Sequence, residues 1–441
     1  MKQVALAQYE KWHYHQPCIF GDCLANWRNL YSFPMSIATT TSPKPSATGT
    51  ALAILFSAAV CHGINDTMQA VLLSVYPMLH ENYALNFAQI GMITLVYQVT
   101  ASILQPVFGT FTDKYPLPYV LPLAPACTLI GLLLLAIAGS YSTILIAAAL
   151  IGIGSSLFHP EASRVARLSS GGRFGFAQSI FQIGGNAGSA IGPLLTALIV
   201  LPRGQWAIAW IAPLAALAVV LLSYVGRWYA GWLKDHTRQA SVKSHLRVFK
   251  RGEVVWALIV LLILMFSKFI YLTSLQVFYT FYLIGHFGVT QRETQLYLFI
   301  LLGAQALGII FGGFFTDRIG TKAMIWVSIL GALPFALALP YTNLFWTVML
   351  TVPIGLIISS AFSAMVVYAQ DLLPGRVGMI SGLFFGLAFG LGGIGAAALG
   401  VMADTTSIDF VFKVCAFLPV LGFFALLLPR GSSTQVADLR T

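Results

Sequence analysis

Gly109-Thr110-Phe111-Thr112-Asp113-Lys114 closes a long apolar run, and 204 residues later Gly313-Phe314-Phe315-Thr316-Asp317-Arg318 closes another. Both stretches place a Gly, a Thr, an Asp and a cation at the same spacing. Behind them, Gly172-Arg173-Phe174-Gly175 recurs as Gly375-Arg376-Val377-Gly378, 203 residues on. Two matched pairs at nearly one offset mean a duplicated half of about 200 residues, and this internal symmetry governs the reading of everything around it.

Of the 441 residues, 58% are hydrophobic and only 9% are charged, against about 25% charged in a typical soluble domain. Apolar runs recur from residue 50 to residue 429, each of roughly 20 residues and so long enough to cross a bilayer core as a helix. The chain is an all-α, polytopic integral membrane protein. Its net charge of +10 does not point to nucleic acid, because the cations are confined to particular loops. Cys18, Cys23, Cys61, Cys127 and Cys415 are odd in number and scattered, so they make neither a disulfide framework nor a zinc site.

Twelve spans are expected, at about 50–79, 87–112, 117–139, 142–165, 175–200, 206–228, 254–285, 292–316, 321–340, 343–369, 376–403 and 407–429. They divide the chain into a cytoplasmic tail (1–49), a first six-helix bundle (50–228), a basic linker (229–253), a second bundle (254–430) and a short tail (431–441). Met35 to Thr50 reads as a Ser/Thr/Pro-rich tail. Residues 1–34 are read as an upstream extension from a misassigned start codon; a natural protein whose intact mass begins at Met1 would refute that. Charge tests the span count. With the N-terminus inside, twenty Lys and Arg fall on inner segments and only Arg203, Arg292 and Lys413 on outer ones, leaving Lys268 within a span. The positive-inside rule then puts both termini in the cytoplasm.

Both copies of the opening motif fall in matching inner loops, after spans 2 and 8. Gly permits close helix approach, and Asp can accept from amides at a neighbouring helix N-terminus. Here the chain resembles the major facilitator superfamily, whose loop signature is close to Gly313-x3-Asp317-Arg318-x-Gly320-x-Lys322. The first copy departs from it, with Pro116 where the second Gly would stand. The resemblance implies two pseudo-symmetric six-helix bundles around one central site, with Gly109, Asp113, Lys114, Gly313, Asp317 and Arg318 as gate residues.

A narrower resemblance covers residues 50–430. His62-Gly63-Ile64-Asn65-Asp66, Phe158-His159-Pro160-Glu161-Ala162-Ser163-Arg164, Gly171-Gly172-Arg173 with Gln178-Ser179-Ile180-Phe181-Gln182, and Tyr368 to Arg376 are similar to the fosmidomycin-resistance branch of drug efflux transporters. That resemblance implies proton-driven export of a small drug, a phosphonate antibiotic being the eponymous cargo. It also implies a bacterial inner-membrane location, no cofactor beyond the proton gradient, and action as a monomer.

The residues allow an independent reading. In span 1, His62, Asn65, Asp66 and Gln69 lie at i, i+3, i+4 and i+7 and share one helical face. Four polar groups on one stripe near the midplane are costly unless they face water or partners; they either line a cavity or bridge to neighbouring helices. Asp66 is the first proton-coupling candidate, because a semi-buried carboxylate can titrate near ambient pH. Glu161 is the second, although it can equally form a plain ion pair with Arg164 three residues on. Gln98 of span 2, Gln178 and Gln182 of span 5, and His159 and Arg164 of span 4 join His62, Asn65 and Gln69 as substrate-binding candidates.

Lys268 lies about fifteen residues into span 7, too deep to snorkel easily. It must meet a carboxylate, a carbonyl, water or an anionic ligand, with Asp66 or Glu161 as the natural partner, and Tyr271 follows it on the same span. A cationic midplane site suits an anionic or phosphonate-bearing cargo. Span 11 carries Gly378, Gly382, Gly386 and Gly390 at every fourth residue, a face on which helices can pack closely and rock. There is no nucleophile motif, no metal motif and no Walker A loop, so neither an enzyme nor an ATP-driven pump is expected. An importer of an organic anion or sugar would use the same parts and stays open as the alternative.

Overall fold

In the computed structural model, which describes residues 51–171, 174–235, 251–372 and 377–428, the chain forms twelve helical rods. Both expected tails, and residues 236–250 of the expected linker, lie outside those residues. In chain order the rods are α1 (Leu52–Ser74, continued by Tyr76–Tyr83), α2 (Phe87–Lys114), α3 (Val120–Ala136), α4 (Tyr141–Leu168), α5 (Phe174–Leu195, continued to Arg203) and α6 (Gln205–Ile211 into Ala212–Asp235). The second set is α7 (Arg251–Val277, then Tyr279–Phe287), α8 (Gln291–Ile319), α9 (Thr321–Leu330, Leu333–Ala338 and Leu339–Tyr341), α10 (Leu344–Ser359, then Phe362–Leu372), α11 (Val377–Thr405) and α12 (Ile408–Cys415, then Leu418–Leu427). Most boundaries match the expected spans to within a few residues; α6 overruns its expected end and reaches Asp235.

The duplication runs deeper than the two motifs. α2 begins on an Asn86/Gln89 capping box and α8 on a Thr290/Glu293 box, 204 residues apart. Ser140 caps α4 and Asn343 caps α10, 203 apart. These side chains accept from amides that a helix start leaves unpaired, which is why polar residues stand at the joints of an apolar chain. α1 and α7 are interrupted at Val75 and Phe278, again 203 apart. At the first of these Pro77 follows, and it cannot donate back into the preceding turn.

Packing repeats the same way. In the first half α1 packs on α5 and α6, α3 on α4 and α6, and α2 on α4. In the second half α7 packs on α11 and α12, α9 on α10 and α12, and α8 on α10. Each second-half pair is a first-half pair advanced by six rods. The halves join through α2 with α11 and α5 with α8, two seams that a twofold exchange of the halves interchanges. The result is two pseudo-symmetric six-helix bundles, as expected from the sequence.

Small residues set the seams. On the α1–α5 seam, a side chain at Gly184 would collide with the Ala59 carbonyl and one at Gly188 with that of Gly63, and Thr67 Oγ1 donates to the Gly188 carbonyl at 3.0 Å. In hydrocarbon such close backbone contact supplies the attraction that burial supplies in water. On α11 the closest approach among the described residues is not at Gly386 or Gly390. Added carbons at Gly386 and Gly390 would stand 3.6 and 3.8 Å from Ser102, ordinary contact. Gly400 instead meets the Phe87 carbonyl, and Gly91 of α2 meets the backbone of Ala396 and Ala397. Gly378 and Gly382 lie outside the described side chains.

Candidate functional site

The polar stripe of α1 faces α4 and α5. His62 is buried, and its Nδ1 lies 2.8 Å from the Phe181 carbonyl. A carbonyl only accepts, so Nδ1 carries the hydrogen. His62 Nε2 then faces Asp66 Oδ2 at 3.4 Å. His159 of α4 is arranged alike: Nδ1 lies 2.9 Å from the Ser155 carbonyl, and Nε2 faces Asp66 Oδ1 at 3.7 Å. In a neutral ring of this tautomer, Nε2 presents a lone pair to a carboxylate oxygen. Both approaches are attractive only when a proton sits on the nitrogen or the oxygen. Asn65 Nδ2 donates to Oδ1 at 3.1 Å.

The backbone of α5 makes this cluster possible. Phe181 stacks on the His62 ring, with centroids 4.1 Å apart. Gly185 lies directly against the His62–Asp66 contact, where any side chain would run into His62 Nε2 and stand 2.7 Å from Asp66 Oδ2. One turn along α1, Gln69 Oε1 accepts from Tyr97 of α2 and from Ser155 Oγ at 3.3 Å. The α1 stripe therefore bridges helices, and Asp66 and His159 stay about one-fifth exposed. Among the described residues, His62, Asp66 and His159 are also the group whose side chains stand close enough to span a metal ion. Sequence spacing could not show this, because His159 comes from another helix.

Several buried polar atoms on the inner helices have no hydrogen-bond partner: Asn65 Oδ1, Gln69 Nε2 and Gln98 Oε1, and, on α7, Lys268 Nζ. Gln98 faces α11 at Gly393, and both Gln98 and Thr273 of α7 lie near Gly392. Unsatisfied groups of this kind are costly in a membrane interior.

Lys268 corrects an expectation. It is 1% exposed, yet it pairs with neither Asp66 nor Glu161. Asp66 is turned toward the two imidazoles, and Glu161 accepts from Arg164 Nη1 at 2.8 Å. The ammonium instead lies 6.0 Å from the Phe269 ring and 5.9 Å from the Phe362 ring. The duplication offset explains the placement. Advancing His159 by 203 residues gives Phe362, and advancing Asp66 by the 203 that separates Val75 from Phe278 on the same rods gives Phe269. The seam that holds a carboxylate and two imidazoles in the first half thus holds a cation and aromatic rings in the second. Tyr271 is buried beside it in the core.

Arg164 is anchored to the end of α2. Besides Glu161, it donates to the Thr112 carbonyl at 2.9 Å and to Thr112 Oγ1 at 3.3 Å. A cation on the last carbonyls of a helix is favoured by their partial charge. Arg164 therefore binds α4 to the residue before Asp113, a structural tie at the opening motif rather than a contact within the Asp66 cluster. Gly109 lies beside Pro160, through which α4 runs without interruption, and Arg318 is exposed at the end of α8. Lys322, from the second motif, donates to the Leu426 carbonyl at 3.1 Å and to that of Leu428. Gln182 is half-buried on α5. Asp113, Lys114, Gln178, Gly313 and Asp317 lie outside the described side chains. Sequence reasoning missed Tyr97, Ser155, Phe181 and Gly185; the Gly184-Gly185 doublet was their one visible signal.

Comparison with known proteins agrees with this architecture. The family model for the Major Facilitator Superfamily matches residues 55–394 and 273–439. A fosmidomycin resistance protein of Escherichia coli (strain K12) is 53% identical over 380 residues, covering 86% of this chain and 93% of that protein. An uncharacterized MFS-type transporter of Bacillus subtilis (strain 168), YfnC, is 42% identical over 386 residues, covering 87% and 94%. Among solved structures, the nucleoside transporter NupG aligns with a TM-score of 0.67 at 14% identity, over 87% of this chain and 100% of that one. A bacterial homolog of the human lysosomal transporter Spinster, in an inward-facing and unoccupied conformation, aligns at 0.66 and 14% identity, over 86% and 96%. At that identity the structural likeness speaks for the fold alone.

Proposed function

The chain belongs to the Major Facilitator Superfamily, and from that premise we propose that it exports a small drug of the fosmidomycin type in exchange for protons, by alternating access. Its similarity to a fosmidomycin resistance protein over nearly the whole of both chains supports a drug-efflux transporter. The observation that carries the proton part is the contact of one carboxylate with two imidazoles whose other nitrogens are already engaged. Such a trio takes up and gives up a proton within a fixed frame.

In this reading the work is divided between the halves. Asp66, His62 and His159 handle the proton on the first, and Lys268 holds the acidic group of the cargo on the second. Gln69, Gln98 and Asn65 supply free hydrogen-bonding atoms between them. Once the cargo has left on the outer side, a proton arriving from outside occupies the trio and neutralises Asp66, which favours return to the inward-facing state, where the proton leaves and the next cargo binds. The proton gradient is the energy source, and no cofactor takes part. The protein works as a monomer in the bacterial inner membrane with both termini in the cytoplasm, in keeping with twenty inner cations against three outer ones.

Expression in a drug-sensitive host lacking its own pumps tests the reading. Cells should resist fosmidomycin and accumulate less of it, and a protonophore should erase the difference. Greater accumulation in expressing cells would indicate import and reject export. Export that survives the protonophore would reject proton coupling.

A further inference from the structure

The amide groups that open α2 are satisfied by two residues from opposite halves of the molecule. Asn86 Oδ1 accepts from Gln89 N at 2.8 Å, the capping bond of its own helix. That leaves the amides of Phe87 and Ala88, and both are taken by one carboxylate on the last turn of α11. Asp404 Oδ1 accepts from Phe87 N at 2.8 Å, and Oδ2 from Ala88 N at 2.7 Å. Distances this short are typical of hydrogen bonds to an ionised group, and a carboxylate at a helix N-terminus is favoured by the helix dipole.

The surroundings show what these bonds hold together. Below them, Gly91 lies under the backbone of Ala396 and Ala397, and Gly400 rests on the Phe87 carbonyl, so the seam has no room for a side chain. Beside them, Phe87 packs edge-on to Phe281 and Phe278 of α7, with centroids 5.3 and 6.4 Å away. His80 of α1 packs against Phe281 at 5.4 Å. All these contacts run between the two halves. All lie at the end of the bundle where α2, α4, α8 and α10 begin, opposite the end where α6 stops at Asp235 and α7 starts at Arg251.

We propose that Asp404 is the outer-gate clamp of this transporter: its carboxylate holds the start of α2 against α11 when the outer end is closed, and it must let go for that end to open. The proposal rests on the alternating-access reading. When the seam parts, two amides and a carboxylate lose one another together. They stand at the exposed rim, where water can replace each bond, so the clamp is reversible and strong enough to bias the equilibrium without locking it. The bare seam below cannot do this alone, because the contact of Gly91 with Ala396 and Ala397 and of Gly400 with Phe87 carries no charge and makes no directional bond. Asp404 performs at the outer rim the service expected of Asp113 and Asp317 at the inner one. It acts on the start of α2, the helix whose far end carries the first copy of the motif.

The test reads the gate without cargo, so it fails or succeeds separately from any transport assay. Spin labels are placed at Gly139→Cys in the first half and Gly285→Cys in the second, outer-end positions where an added side chain meets nothing within 4 Å. The full-length protein is used, with its native cysteines replaced. Asp404→Ala should raise the ratio of long to short label distances about tenfold. Asp404→Asn, which keeps one accepting oxygen and the shape of the side chain, should raise it by less. Gly91→Val, which pries α2 from α11 by bulk, should move the same distances and gives the signature of an opened outer end. If that signature appears in Gly91→Val but the distances in both Asp404 variants match the parent, Asp404 is no clamp and the proposal falls. If Asp404→Ala does not fold, the intermediate shift expected of Asp404→Asn decides alone.

Discussion

His159 of α4 reaches Asp66 of α1 with Nε2 3.7 Å from Oδ1, across 93 positions of sequence. That contact turns a polar stripe on one helix into a three-residue cluster, because His62 meets the other oxygen. Removing the charge while keeping the shape is the informative change. Asp66→Asn should abolish cargo accumulation driven by a proton gradient in vesicles, to the level seen with a protonophore. Exchange of labelled for unlabelled cargo should persist. A variant whose flux keeps the parent's pH dependence would remove Asp66 from the proton path.

Lys268 separates a structural cation from a functional one. A buried charge without a partner is expensive, so a protein that kept it for stability alone would gain nothing by it. Lys268→Met should leave membrane abundance unchanged and thermal stability equal to or above that of the parent. Loss of a charge-assisted contact, worth about 1.5–3 kcal/mol, should weaken apparent affinity for an anionic cargo by about tenfold or more. Resistance equal to the parent's in Lys268→Met would take Lys268 out of the cargo site.

Gly185 is a sharper probe of the cluster than any of its polar members. A side chain there must displace the His62–Asp66 contact without altering either residue. Gly185→Val should insert into the membrane yet lose most gradient-driven transport. Gly231→Val, on the same half but with nothing within 4 Å, should transport like the parent. Comparable transport by the two variants would show that the contact has no part in coupling.

Arg164 ties α4 to the end of α2 through Glu161 and Thr112. Arg164→Ala takes the cation from a carboxylate that is 1% exposed, and breaking a buried pair on one side costs roughly 3–5 kcal/mol. A marked fall in thermal stability is expected, read by unfolding of detergent-solubilised protein. Changing both residues, as Glu161→Gln with Arg164→Met, should recover much of it. A double variant no more stable than Arg164→Ala would mean that the pair with Glu161 is not what Arg164 contributes to stability.

Much of this protein was legible before any coordinates. Helices in a bilayer must satisfy their backbone internally, so apolar length and breaker residues report spans almost directly. Charge asymmetry reports their direction, and the motif offset reports the duplication. The joints obeyed the same logic: Asn86 and Ser140, like Thr290 and Asn343, start helices where the apolar pattern ended. The face shared by His62, Asn65, Asp66 and Gln69 was also readable, since i, i+3, i+4 and i+7 depend on helix geometry alone.

What could not be read was which faces meet. Of the partners the sequence left open for Lys268, Asp66 or Glu161 was the natural one, yet the packing of α7 on its own half places it near Phe269 and Phe362. The regular glycines of α11 were read as a close-packing face, and among the described residues the tight contacts of α2 with α11 include Gly91 and Gly400, while Gly386 and Gly390 make ordinary contact. The sequence by itself determined the twelve rods, their duplication and the polar stripe of α1, because those follow from periodicity within one chain segment. Only the tertiary structure decided that His159 completes the Asp66 cluster, that Gly185 makes room for it and that Asp404 caps α2. Each of these depends on the rotation and depth at which separate helices dock, and in a lipid interior that is set by side-chain fit rather than by any pattern along the chain.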